Sequence, residues 1–214
     1  MEDRSLASLS QWSRRDLCSR IESPGIAWHV PDMVDWAARD SSTEDQMRIE
    51  AVLADSFREG SRLLHIGVGN SALARRFISK ARGIDGLTIA PAELEHAHAI
   101  GLPGYRVFLV SKYAPEVLRH VESDYDIIVD NNLASFACCT FHFARMLDSY
   151  RACLAPGGRL LTDKLGMYWV AGDERWRMTF EDLEAAGKRF KLRAIRLTDS
   201  VYALERDVTP IDDH

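Results

Sequence analysis

Long apolar runs are missing from this 214-residue chain, so no helix in it is expected to cross a bilayer. The first residues, Met1-Glu2-Asp3-Arg4-Ser5, open a polar stretch that lacks the apolar core of a secretory signal, so the cytoplasm is the expected compartment. Basic clusters are missing too. The net charge is −5, and Arg14-Arg15 and Lys188-Arg189 are isolated pairs. Neutralising phosphates drives nucleic-acid binding, so neither nucleic acid nor a membrane is the expected partner. Cysteine is scarce. The four residues Cys18, Cys138, Cys139 and Cys153 form no C-x-x-C pair, which disfavours a disulfide framework or a zinc site and suits reduced thiols. His96 and His98 stand two apart and so do not share one helix face, and no metal is expected.

What is present is ordinary for a globular protein: 46% hydrophobic and 28% charged residues, at a length that suits one domain with a real core. Residues 1–42 read as an accessory segment, with short helices expected over 5–21 and 32–39 and a break at Ser23-Pro24-Gly25. Residues 43–214 read as the main domain. Its first helix follows Thr43, which has capping-box spacing to Gln46. Ile49, Leu53 and Phe57 form its apolar stripe, and Gly60 stands at its C-terminal end.

From residue 62 the pattern alternates. Strands are expected at 62–66, 84–89, 105–110, 126–130 and 159–162, and helices at 71–80, 92–100, 115–121 and 141–153. Such alternation builds a parallel, doubly wound sheet. Pro156-Gly157-Gly158 is expected to be a turn. After a helix over 179–190, capped by Thr179 and Asp182, the strands 192–197 and 201–205 are separated by Thr198-Asp199-Ser200 alone. So short a link cannot make a parallel crossover, so these two strands pair as an antiparallel hairpin.

The central motif is His65-Ile66-Gly67-Val68-Gly69-Asn70-Ser71, placed between a strand and a helix. Glycines there let the backbone turn sharply and let a ligand approach the main chain at the carboxyl end of a strand. Together with Gly86-Leu87-Thr88-Ile89-Ala90-Pro91, Tyr125-Asp126-Ile127-Ile128-Val129-Asp130-Asn131-Asn132 and Leu154-Ala155-Pro156-Gly157-Gly158-Arg159-Leu160-Leu161, this segment resembles the ordered motifs of the class I S-adenosylmethionine-dependent methyltransferases. The resemblance spans residues 44–206. It implies a Rossmann-like, seven-stranded, mostly parallel sheet of order 3-2-1-4-5-7-6 with strand seven antiparallel, and S-adenosylmethionine as the cofactor. The chain departs from the family pattern at His65 and Thr88, where acids are usual, at Ser71, where a third glycine is usual, and at Ser111-Lys112, where an acid near the adenine is common.

By that resemblance the cofactor-binding set is His65, Gly67, Val68, Gly69, Asn70, Ser71, Thr88, Ile89, Ser111, Lys112, Asp130 and Asn131, with Asp85 an alternative ribose ligand. Asp130, His142 and His29 are the candidate catalytic bases. Each has a structural alternative: a satisfied buried histidine at 65, helix capping or an Asx turn at 130–132, core packing at His142. Lys164, Tyr168 and Trp169 follow the fifth strand, where aromatics can stack on a substrate, and Trp28, His29 and Trp36 suit a lid. The implied activity is methyl transfer to an O, N or C nucleophile of a small organic molecule. One alternative is a non-methylating module that holds S-adenosylmethionine or S-adenosylhomocysteine. Another is a nicotinamide-dependent oxidoreductase, since Gly67-x-Gly69-x-x-Ala72 fits the looser dinucleotide fingerprint. The Pro-Gly-Gly segment, the terminal hairpin and the missing acid at Thr88 stand against it.

Overall fold

Seven strands join in one sheet in the order β3-β2-β1-β4-β5-β7-β6. The computed structural model describes residues 36–137, 139–169 and 174–207. In chain order the elements are α1 (Glu44–Ser56), β1 (Arg62–Ile66), α2 (Ala72–Phe77), β2 (Gly83–Thr88), α3 (Pro91–Ile100), β3 (Tyr105–Leu109), α4 (Val117–His120), β4 (Tyr125–Asp130), α5 (Thr140–Cys153), β5 (Leu154–Asp163), α6 (Lys164–Met167), a short 3-10 turn (Glu174–Trp176), α7 (Phe180–Arg189), β6 (Leu192–Arg196) and β7 (Val201–Arg206). Strands β1 to β5 pair in parallel, and β7 is antiparallel to both β5 and β6. The expected strand order and terminal hairpin are therefore observed.

Alternation along the central strands splits the core in two. Leu63, Ile84, Val129 and Leu161 face Ile49 and Leu53 of α1 and Leu73 and Phe77 of α2. Leu64, Leu87, Ile128 and Leu160 face Phe143, Met146, Leu147 and Tyr150 of α5 and Leu183 of α7. Such strands are apolar on both sides because helices cover both. Among the described residues, no helix is long and apolar enough to cross a membrane.

Three local expectations are corrected. Thr43 stands at the N-cap of α1 but its side chain makes no capping bond, and the reciprocal half of the box is missing too, since the Gln46 side chain donates to Glu50 at 3.3 Å. The helix stops at Ser56 with Phe57 as its C-cap, earlier than Gly60. Pro156-Gly157-Gly158 is not a turn outside the sheet. β5 runs through it, and its register with β4 shifts between Tyr125 and Ile127. A Cβ at Gly158 would lie 2.7 Å from the Tyr125 carbonyl, so glycine lets the two backbones close at that irregularity. At α7 the expected cap forms: Thr179 Oγ1 accepts from Asp182 N, and Asp182 Oδ2 accepts from Thr179 N.

Candidate functional site

The bend after β1 turns its backbone outward and its side chains inward. Gly67 (φ +72°), Gly69 (φ +51°) and Ser71 (φ +58°) all sit in the left-handed region. Gly67 N donates to the Leu87 carbonyl at 2.8 Å, and Ser71 N to the Val68 carbonyl at 2.8 Å. Gly67 is exposed, and a Cβ built there meets nothing within 4 Å. Val68 instead folds under the bend, where its Cγ1 would lie 2.5 Å from any Cβ at Gly86. Asn70 is buried; its Oδ1 accepts from Ala72 N, its Nδ2 donates to the Arg39 carbonyl, and its own carbonyl lies 3.2 Å from His96 Nε2. Ser71 is fully buried with Oγ 3.1 Å from the Tyr105 hydroxyl. Trp36 lies beside Gly69, and the Arg39 guanidinium stacks on its ring at 4.3 Å, so residues 36–40 border the bend.

His65 pairs in register with Gly86 and Val129, so it points to the α1–α2 side of the sheet. It is 3% exposed, and its Nδ1 has no hydrogen-bond partner. Burial pulls the imidazole down to about 4, which keeps it neutral near pH 7. Buried polar atoms without a partner are rare enough to require a reason, and a ligand or water at the mouth of β1 is one.

Thr88 ends β2 on that same side, two residues after Gly86. Its Oγ1 accepts from Ala90 N at 3.0 Å and donates to Glu93 Oε2 at 2.5 Å. Glu93, in the first turn of α3, is 5% exposed. Asp85, the alternative ribose ligand expected from sequence, is 2% exposed. It lies on the opposite side of β2, where Arg106 holds it through two bonds, the Tyr125 hydroxyl donates to it at 2.5 Å, and Arg62 stands at 3.5 Å. Ile89 is half-buried beside Thr88.

Across the sheet, Lys112 ties two loops together. Its Nζ lies 2.8 and 3.0 Å from the two Asp130 oxygens and donates to the Asn132 and Leu133 carbonyls. The Tyr150 hydroxyl donates to Asp130 Oδ2 at 2.8 Å. Asp130 is 2% exposed, so both of its oxygens are engaged inside the protein. Burial draws the Lys112 ammonium below the ordinary lysine value, against the opposing pull of Asp130, and pushes the Tyr150 phenol upward. Ser111 Oγ accepts from Tyr113 N and shapes the start of this loop. Asn131 lies on the α1 side: its Nδ2 donates to Asp45 at 3.2 Å, and its Oδ1 is buried without a partner. Near it, Arg48 grips the fully buried Asp163 through two bonds of 2.9 and 2.6 Å.

His142 lies in the first turn of α5, 1% exposed, with Nδ1 3.2 Å from Cys139 Sγ. Beyond β5, Trp169 and Trp176 flank Phe136 at centroid distances of 6.2 and 4.9 Å, Tyr168 is half exposed under Arg177, and Lys164 is exposed. Phe136 holds φ +66°, an uncommon conformation for a bulky residue. Trp28, His29, Cys138, the helix expected over 5–21 and residues 32–35 of the helix expected over 32–39 lie outside the described residues; 36–39 form a bend and turn, not a helix.

The sites expected from sequence thus form two groups. His65, the bend, Thr88 and Asn131 share one side; Lys112 and Asp130 close the other. Sequence reasoning missed Glu93, Asp45, Arg48, Tyr150 and Asp163. The signal for Glu93 was an acid five residues after Thr88, in the first turn of α3, indistinguishable in sequence from an ordinary first-turn acid.

These described residues have the fold of the class I S-adenosylmethionine-dependent methyltransferases. The sugar N-methyltransferase KedS8 from Streptoalloteichus sp. superposes with a TM-score of 0.61 at 14% identity, covering 86% of this chain and 94% of that one. The amino pentose methyltransferase CalS10 from Micromonospora echinaspora, solved with S-adenosylmethionine bound, gives 0.56 at 17% identity over 75% and 89%. The N-methyltransferase NodS from Bradyrhizobium japonicum, solved with S-adenosylhomocysteine, gives 0.55 at 14% identity over 90% and 97%. No protein-family model matches the chain, and a search of curated proteins finds no match.

Proposed function

We propose that this protein binds S-adenosylmethionine at the Gly67–Ser71 bend and transfers its methyl group to an O, N or C nucleophile of a small organic molecule. The observation that carries the reading is the bend itself: an exposed, left-handed Gly67 with open space beside it, two residues after a neutral His65 whose buried Nδ1 has no hydrogen-bond partner. Structural neighbours named for methylation of sugars support it. When bound, the cofactor supplies a methyl group already activated on a sulfonium, so the protein's part is alignment and exclusion of water. In this reading the bend holds the nucleoside, and His65 and Asn131 offer their unsatisfied atoms to the aminoacyl end. Residues 1–42 are an accessory lid, of which 36–40 already border the bend, and 43–214 are the binding domain. Asp130, engaged by Lys112 and Tyr150, positions the loops rather than takes a proton, which leaves His29 and His142 as the candidate bases. The net charge of −5 favours a small acceptor over nucleic acid.

A thermal-shift comparison tests the cofactor. Ligand at about 100 times its Kd adds about 2.7 kcal/mol, or roughly 5–10 °C for a chain of this size. S-adenosylmethionine and S-adenosylhomocysteine are expected to produce such a shift and NAD and NADP none; the reverse pattern overturns the reading. Radiolabelled methyl should then appear on amine, sugar or phenol acceptors. The engagement of both Asp130 oxygens favours a second reading, a module that binds the nucleoside without transferring its methyl group. Tight binding with no label on any acceptor selects it.

A further inference from the structure

We infer that Asp45 recognises the methyl acceptor and that this acceptor is an amine, with Asn131 as the positioning residue for the Asp45 carboxylate. The inference rests on the cofactor reading above.

The strand order reverses between β1 and β4, with β2 beside one and β5 beside the other. Ligands of open α/β sheets bind in the crevice at such a point. The bend borders that crevice from β1 and, in the cofactor reading, takes the nucleoside. The β4 side is left for the acceptor, and there Asn131 meets Asp45 of the first turn of α1. The Asn131 backbone is fixed from two directions. Thr162 Oγ1 donates to its carbonyl at 3.1 Å, and Gly166 of α6 packs so close to that carbonyl that no Cβ would fit. From that place its Nδ2 donates to Asp45 Oδ2 at 3.2 Å.

An acid that serves only a helix N-terminus commonly does so from the surface. Asp45 is instead buried, at 9% exposure, which is costly for a carboxylate unless it is paired. Among the described residues its one hydrogen bond comes from Asn131, a neutral amide. Arg48 feels the Asp45 charge, yet its three nitrogens are taken by Asp163 and Glu44. Beside this carboxylate, Asn131 Oδ1 is buried without a partner. Two neighbouring residues thus present acceptor oxygens that call for a donor. An amine brings N–H donors to them. A phenolate or carboxylate would meet a like charge, and a carbon nucleophile brings no strong donor. The charge flow fits as well. The amine nitrogen uses its lone pair to form the N–C bond as the C–S bond breaks and its pair returns to sulfur. Positive charge thereby develops on nitrogen, where the Asp45 carboxylate stabilises it, and the surplus proton then leaves to water.

Transfer of radiolabelled methyl from S-adenosylmethionine by the full chain tests this with three acceptor pools. The first holds amines (amino acids, amino sugars, polyamines and arylamines), the second the same compounds N-acetylated, and the third alcohols, phenols and carbon acids. Label is expected in the first pool alone, and that pool alone is expected to raise the melting temperature of the S-adenosylhomocysteine complex. Asp45→Asn should lower kcat/KM for the labelled amine by about 10- to 100-fold, the range for hydrogen bonds to a charged group. Its calorimetric affinity for S-adenosylhomocysteine should stay nearly unchanged. Should that variant not fold, the wild-type pools decide alone. Label in the second or third pool at or above the amine level, label in no pool, or undiminished transfer by Asp45→Asn overturns the inference and leaves cofactor binding intact. A matching loss of S-adenosylhomocysteine affinity in Asp45→Asn also overturns it, because the carboxylate then holds the ammonium of the cofactor. Failure of the wild type to bind S-adenosylhomocysteine overturns both readings.

Discussion

His65 carries the clearest residue-scale signature. Its neutral imidazole sits in a buried place at the end of β1, without a partner for Nδ1. The unfolded imidazole takes up a proton below about 6.5, whereas the folded one resists until about 4. The stability this histidine contributes is therefore full above pH 6.5 and is lost as pH falls towards 4. The shift corresponds to about 3 kcal/mol across that window. Urea unfolding of the wild type should lose that much between pH 6.5 and 4 relative to His65→Asn; parallel curves for the two proteins would contradict the assignment. Much of the site was legible at this scale where backbone demands a residue type, as at Gly67 and Gly69. The rest was not, because spacing along the chain does not reveal which side of a strand a group faces. Asp130 and His65 look equivalent in sequence, yet lie on opposite sides of the sheet, and Asp130 meets Lys112 and Tyr150 only once the loops are folded.

At the scale of elements, α1 shows how the mouth of the sheet is covered. Its middle is anchored by Ile49 and Leu53, while its first turns dock through polar contacts to Asn131 and Asp163. Asp163 is fully buried, and Arg48 is the cation that pairs with it among the described residues. Breaking one partner of such a pair costs about 3–5 kcal/mol because the other charge is stranded. Arg48→Met and Asp163→Asn should each destabilise the chain, and the double variant should recover part of the loss; additive losses in a double-mutant cycle would contradict the coupling. The periodicity of α1 and the capping box of α7 could be read from sequence because both are local. The idle cap at Thr43 and the passage of β5 through Pro156-Gly157-Gly158 could not, since capping-box spacing shows only that a cap is possible, and the close approach of Gly158 to the Tyr125 carbonyl exists only in the folded sheet.

Over the whole molecule, connection lengths decide the topology. Helix-length links build the parallel part of the sheet, and the short Thr198–Ser200 link forces β6 and β7 to pair antiparallel, which closes the sheet beside β5. The first five strands' carboxyl ends then converge on one rim, and the bend, Thr88 and Asn131 stand along it. The most direct test is a crystal structure of the protein with S-adenosylhomocysteine. The account predicts the nucleoside against Gly67 and Gly69 and its aminoacyl end beside His65. A nucleoside bound elsewhere on the molecule, with the bend filled by the protein's own side chains, would contradict it.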